Sequence, residues 1–224
     1  MRFIYHEKSG ADTLRLDKEQ YNHIFKVRRE NAQKPLFFCN LKDKNIYTYK
    51  VLQIDKKSAL CELVEAQKVS IADQKEFQIA WSVIDPKIIE KTLPFLNEVG
   101  LKKLIFVYTK FSQHNFKIDF ERFRRIIINS CEQCGRANLM EFEIFNSLEE
   151  FLKAHSDIAV VDFSSDKFGN FLGVLPKIWL VGNEGGFDES EREQLSRFAR
   201  VGFECENVLR SSSAVMAIAS KLLL

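Results

Sequence analysis

The run Trp179-Leu-Val-Gly-Asn-Glu-Gly-Gly-Phe187 delivers a short apolar segment straight into a cluster of glycines, and an acid-rich stretch follows it. Glycines at 182, 185 and 186 let the backbone take positive φ and come close to a ligand that a Cβ would obstruct. Asp188-Glu-Ser-Glu191 then reads as a capping-box-like start, with acidic groups at the positive end of the helix dipole, and predicts a helix through about residue 200. Residues 182–187 are therefore a tight strand-to-helix loop, the place where open α/β sheets gather their ligands. A second small-residue loop, Asn207-Val-Leu-Arg-Ser-Ser-Ser-Ala214, opens a terminal helix rich in apolar residues (Val215, Met216, Ile218, Ala219, Leu222, Leu223), whose natural state is burial.

From about residue 75 onward, strand and helix signals alternate. Residues 77–84, 104–108, 141–145, 158–161 and 178–181 read as strands. Asp85-Pro86 starts a helix over residues 87–99, a basic amphipathic helix over 119–134 ends at Gly135 in a left-handed cap, and residues 147–155 form another. That alternation predicts a mostly parallel sheet covered by helices. The first seventy residues differ: short strands at 2–6, 35–40, 45–54 and 59–65 accompany one helix running from Asp17 to about residue 28. They predict a small β-barrel. The expected division is a domain over residues 1–70 and a second over 71–224.

Charge separates along the chain although its net value is only +2. Residues 1–70 hold 14 Lys and Arg against nine Asp and Glu, residues 102–136 hold eight against three, and residues 137–224 hold eight against 14. A basic N-terminal module and a basic central helix fit a phosphate-bearing partner, with a solvated charged face as the plainer alternative. Arg2, His23, Lys26, Arg28, Arg29, Arg124 and Arg125 are the candidate contacts to such a nucleic-acid partner. No apolar run approaches the roughly 20 residues that span a bilayer, and the first residues lack a signal peptide's apolar core, so the expectation is a cytoplasmic protein without a membrane partner. Five cysteines, an odd number, argue for reduced thiols. The lone Cys131-x-x-Cys134 has no second pair at zinc spacing, and no metal is assigned.

The loop at residues 182–186 is too short for a dinucleotide fingerprint and lacks the Lys-Ser/Thr of a phosphate-binding P-loop. Its meaning comes from company. With Leu209-Arg-Ser-Ser-Ser-Ala214, Glu132-Gln-Cys-Gly-Arg136, Asn97-Glu-Val-Gly-Leu101 and His23-Ile-Phe-Lys-Val-Arg28 in this order, the chain resembles the RsmE family of ribosomal RNA uridine-N3 methyltransferases, of the knotted SPOUT class. Two positions depart from the family pattern: Asn183 stands for a proline, which implies a more flexible turn, and Ser212 for a glutamate, which removes one carboxylate available to substrate.

The resemblance implies an α/β protein with a PUA-like RNA-binding barrel before a SPOUT-like knotted domain, whose terminal helix passes beneath the loop carrying Gly185. It implies S-adenosylmethionine held by Val181, Gly182, Asn183, Glu184, Gly185, Gly186, Val208, Leu209, Ser211, Ser213 and Ala214, with Phe163 in the loop after Val161. It implies a homodimer that methylates N3 of a uridine in 16S ribosomal RNA, within the small subunit. Arg210 and Arg136 are candidates to stabilise the uracil anion or to hold phosphates. Glu184 is a candidate base, or a tie for the loop through backbone amides. Two alternatives stay open: a methyltransferase with another RNA target, and a non-catalytic RNA-binding assembly factor.

Overall fold

The computed structural model describes residues 2–69, 76–164, 166–170 and 175–224, and the chain divides into two compact units. One comprises residues 1–72 together with 128–139, and the other residues 73–127 and 140–224. The expected boundary at residue 70 lies outside the described residues.

In the N-terminal unit, β1 (Ile4–Tyr5), β2 (Thr13–Leu16), β3 (Leu36–Cys39), β4 (Asn45–Ile54) and β5 (Ala59–Lys68) form one sheet in the order β1-β3-β4-β5-β2. All pairs are antiparallel except β1 with β3. Register shifts at Thr48/Tyr49 and Val51/Gln53 bend the long β4–β5 hairpin and curl the sheet into a half-barrel. Its concave side holds Leu14, Leu16, Ile24, Phe38, Tyr49 and Cys61, each at most 2% exposed. Strand β2 has no counterpart among the strands expected from sequence: Thr13-Leu-Arg-Leu16 does alternate, but over only four residues, and its partner β5 lies over forty residues away.

The helix expected from Asp17 forms differently. Asp17 and Gln20 make a true capping box for α1 (Lys18–Tyr21), but residues Asn22–Val27 continue as a π-helix in which Arg28 N–H reaches the His23 carbonyl. Arg29, at φ +56°, ends it. Residues 128–139 add a buried carboxylate to this unit: Glu132 accepts from Tyr5 N–H and from Arg28 Nη2, both at 2.7 Å. Gly135 sits at φ +90° with the Arg2 side chain filling the space where a Cβ would stand.

The second unit is a six-stranded, wholly parallel sheet. Strands β6 (Gln78–Ser82), β7 (Lys103–Val107), β8 (Glu141–Phe145), β9 (Ile158–Val161), β10 (Ile178–Val181) and β11 (Ala199–Val201) run in the order β11-β9-β10-β6-β7-β8. Helices α2 (Pro86–Glu98), α3 (Phe120–Cys134), α4 (Leu148–Ala154), α5 (Glu189–Leu195) and α6 (Ser211–Leu223) connect them. Local signals set most starts: Asp85 caps α2 with Pro86 at its first position, Ser147 caps α4, and Asp188 with Glu191 closes a capping box on α5. Both sheet faces are covered. Ala80, Ile105, Val160 and Leu180 face Phe151 and Leu195 in one core cluster, while α2 packs against α6.

Helix α5 stops at Leu195, short of the expected residue 200, because residues 199–201 pair with Ala159, Val160 and Val161 as the edge strand β11. Pairing with a strand forty residues away outweighs the local helical preference. Helix α6 begins against the glycine loop itself, the Ser211 hydroxyl donating to the Gly182 carbonyl. No helix among the described residues is long and apolar enough to cross a membrane. Burial pushes the thiols of Cys39 and Cys61 up to about 11.

Candidate active site

Strand order reverses around β6: the chain runs outward through β7 and β8, then crosses to the other side for β9, β10 and β11. Beyond the C-terminal ends of β9, β10 and β11 lies a cavity of about 670 Å³. Such a volume suits a small-molecule ligand. Its walls are the loop after Val161, residues 181–187, Gly202 and Phe203 after β11, and residues 207–211 at the start of α6.

Phe163, Val181, Gly182, Asn183, Glu184, Gly185, Gly186, Val208, Leu209, Arg210, Ser211 and Ala214 all line this cavity. Ser213 is half-buried on α6 and does not. Arg136 belongs to the N-terminal unit and is not part of the wall; it is buried, its Nε donates to Asn138 Oδ1 at 3.4 Å, and desolvation depresses its pKa.

The glycines serve differently from the sequence expectation. Only Gly186 among the three takes positive φ, at +71°. At Gly185 the constraint is mild: a Cβ there would sit 3.1 Å from the exposed Phe111 ring, which would have to shift slightly. A Cβ on Gly182 would meet Gly186 Cα at 3.2 Å and Phe187 at 3.3 Å.

Asn183 does not loosen the turn. Its side-chain oxygen accepts from Gly185 N–H at 3.0 Å, its main-chain carbonyl accepts from Gly186 N–H at 3.0 Å, and its amide nitrogen lies 3.4 Å from Thr109 Oγ1. The carboxamide replaces the rigidity of a proline ring with hydrogen bonds.

Several wall-forming contacts have no signal in the sequence. Glu191, besides capping α5, accepts from Lys110 N–H at 2.8 Å and ties the loop after β7 to that helix. Arg192 joins Asp162 to the Phe187 carbonyl. Residues 109, 110, 162 and 192 become neighbours only in the folded sheet.

Of the seven candidate RNA contacts, Arg2, His23, Lys26, Arg29, Arg124 and Arg125 are exposed. Arg28 is half-buried and committed to Glu132. Among the described residues no group of three or more His, Cys, Asp or Glu is placed to hold a metal.

A parallel sheet with this strand order, and a cavity walled by a glycine loop and the start of a terminal helix, suit an α/β enzyme that takes a small-molecule ligand beyond its strand ends. Sequence comparison agrees: the RNA methyltransferase domain family matches residues 72–223, and the RNA methyltransferase PUA domain family matches residues 16–64. Two proteins named ribosomal RNA small subunit methyltransferase E, from Helicobacter pylori strains 26695 and J99, are 41% and 42% identical over 223 residues, 98% of each chain. The chain belongs to this ribosomal RNA small subunit methyltransferase E family. A crystal structure of the Neisseria gonorrhoeae enzyme of that name, bound to S-adenosyl methionine, superposes with a TM-score of 0.82 at 19% identity, covering 99% of this chain and 96% of that one.

Proposed function

We propose that this protein transfers the methyl group of S-adenosylmethionine to N3 of a uridine in small-subunit ribosomal RNA. The observation that carries the reading is the cavity itself, a cradle of about 670 Å³ walled by the glycine loop and the start of α6, with an exposed cation, Arg210, on its wall. The cradle fits the cofactor chemically: its glycine loop, residues 182–186, adds little side-chain bulk to the wall, and Val181, Leu209 and Ala214 supply apolar contact for an adenine ring. The cofactor brings an electrophilic methyl group. Everything else is positioning and charge.

Arg210 is the N-cap of α6, its backbone extended (ψ 154°) and its side chain making no capping bond. A cation at the positive end of a helix is unfavourable for stability, so a role toward an anion explains it better. Uracil N3–H must lose its proton before attack, and the Arg210 guanidinium favours the resulting imide anion. Glu184 is the exposed carboxylate on the same wall and the candidate to take that proton. The basic N-terminal unit is the RNA-binding module, with Lys26 and Arg29 on its exposed face, and a homodimer is the working form.

The test is calorimetry with S-adenosylmethionine followed by mass mapping of small-subunit RNA from a deletion strain. Saturable binding and loss of one N3-methyluridine support the reading. Absence of cofactor binding would instead favour a non-catalytic assembly factor.

A further inference from the structure

Arg192 stands on α5, outside the three loops that the family resemblance implies for cofactor contact, yet it lines the cavity. Its guanidinium is divided between two walls. Nε donates to the Phe187 carbonyl at 2.9 Å, at the end of the glycine loop, and Nη1 donates to Asp162 Oδ2 in the loop after β9. Nη2 packs 3.3 Å from the position a Cβ on Gly186 would occupy, so the glycine leaves the room that the fork fills.

Asp162 extends the chain of contacts. Its other oxygen accepts from Phe163 N–H at 2.8 Å, which sets the direction in which the cavity-lining Phe163 leaves β9. The Asp162 side chain is 6% exposed, against 38% for Arg192. A carboxylate that deep needs its cation, because an unpaired buried charge is strongly unfavourable. Breaking the pair therefore drives Asp162 outward, and the Phe163 wall moves with it.

We propose that Arg192 is a positioning residue that holds the Phe163 wall and the glycine loop at the separation S-adenosylmethionine requires, acting through Asp162 and Phe187. The inference rests on the cofactor reading above. Planarity matters: a guanidinium serves two acceptors at a fixed angle, whereas an ammonium on a flexible stem does not.

The test is calorimetric cofactor affinity, with melting temperature and circular dichroism recorded beside it, for Arg192→Met, Arg192→Lys, Asp162→Asn and the Arg192→Met/Asp162→Asn double variant. Arg192→Met and Asp162→Asn are each expected to weaken binding about tenfold. Arg192→Lys should recover only part of the loss, and the double variant should bind no worse than the weaker single, since both changes break one connection. At saturating cofactor kcat should stay within about twofold while KM for the cofactor rises. If Arg192→Met does not fold, Arg192→Lys and Asp162→Asn carry the comparison. Affinities within about twofold of wild type, or losses that multiply in the double variant, overturn the proposal. Absence of cofactor binding by the wild-type protein overturns the cofactor reading and this proposal together.

Discussion

The indole Nε1 of Trp81 donates to the hydroxyl of Ser211 at 2.7 Å, across 130 residues of chain. That hydroxyl in turn donates to the Gly182 carbonyl. Trp81 is 0% exposed and Ser211 4%, so neither group has water as an alternative partner. One oxygen thus fastens the first residue of α6 to a central strand and to the glycine loop. Ser211 lines the cavity, but its hydrogen bonds are structural.

Ser211→Ala should therefore lower unfolding free energy by about 1–3 kcal/mol, since it deletes two buried hydrogen bonds and orphans the indole N–H. Urea denaturation measures this. Cofactor affinity should fall as well, because the Gly182 carbonyl loses its anchor.

The two glycines should respond unequally. Gly186→Ala puts a Cβ on a residue at φ +71° and 3.3 Å from Arg192 Nη2, with a strain of about 1–2 kcal/mol. Gly185→Ala meets only the Phe111 ring, and Phe111 is 52% exposed and free to turn away. Isothermal titration should show the larger loss of cofactor affinity for Gly186→Ala.

Arg28 should separate from its neighbours in the same basic segment. Arg28→Ala strands the Glu132 carboxylate and should destabilise the protein by about 2 kcal/mol, seen as an earlier thermal transition. Lys26→Ala and Arg29→Ala should leave stability nearly unchanged. Each should instead reduce the log–log salt slope of RNA binding by about 0.7–0.9, the value for one phosphate that is no longer neutralised.

Acidification should weaken the fold through two histidines. Burial holds His6 and His155 below the ordinary imidazole value of 6.5, reinforced by Lys8 beside the first; at the second Lys103 also lowers it, while Glu143 pulls the other way. A depressed folded pKa means that the unfolded chain takes up protons first. Stability is then fully present above 6.5 and is lost as pH falls through the folded values. Urea midpoints should be lower at about pH 5.5 than at about pH 7.5, and His6→Gln should shrink the difference.

Much of the fold is legible in the sequence because its signals are local. Strands β4, β8, β9 and β10 match the expected bounds residue for residue, and Asp85, Ser147 and Asp188 announce their helices through side chains that cap backbone N–H groups two or three residues away. The glycine loop and the loop before α6 are equally readable, as small residues after an apolar run, and together they line one cavity.

What the tertiary structure alone decided is everything that depends on a partner far along the chain. Edge strands β2 and β11 exist because β5 and β9 offer them hydrogen bonds, and α5 ends early for the same reason. Arg192 meets Asp162 from 30 residues away, Glu132 meets Arg28 from 104, and Asn183 stiffens a turn that its residue type alone would loosen. Capping and periodicity act over one or two turns of chain, so the sequence states them directly. The pairing of a buried charge or a strand edge is settled by whichever distant group the folded sheet brings within about 3 Å, and no pattern along the chain carries that distance.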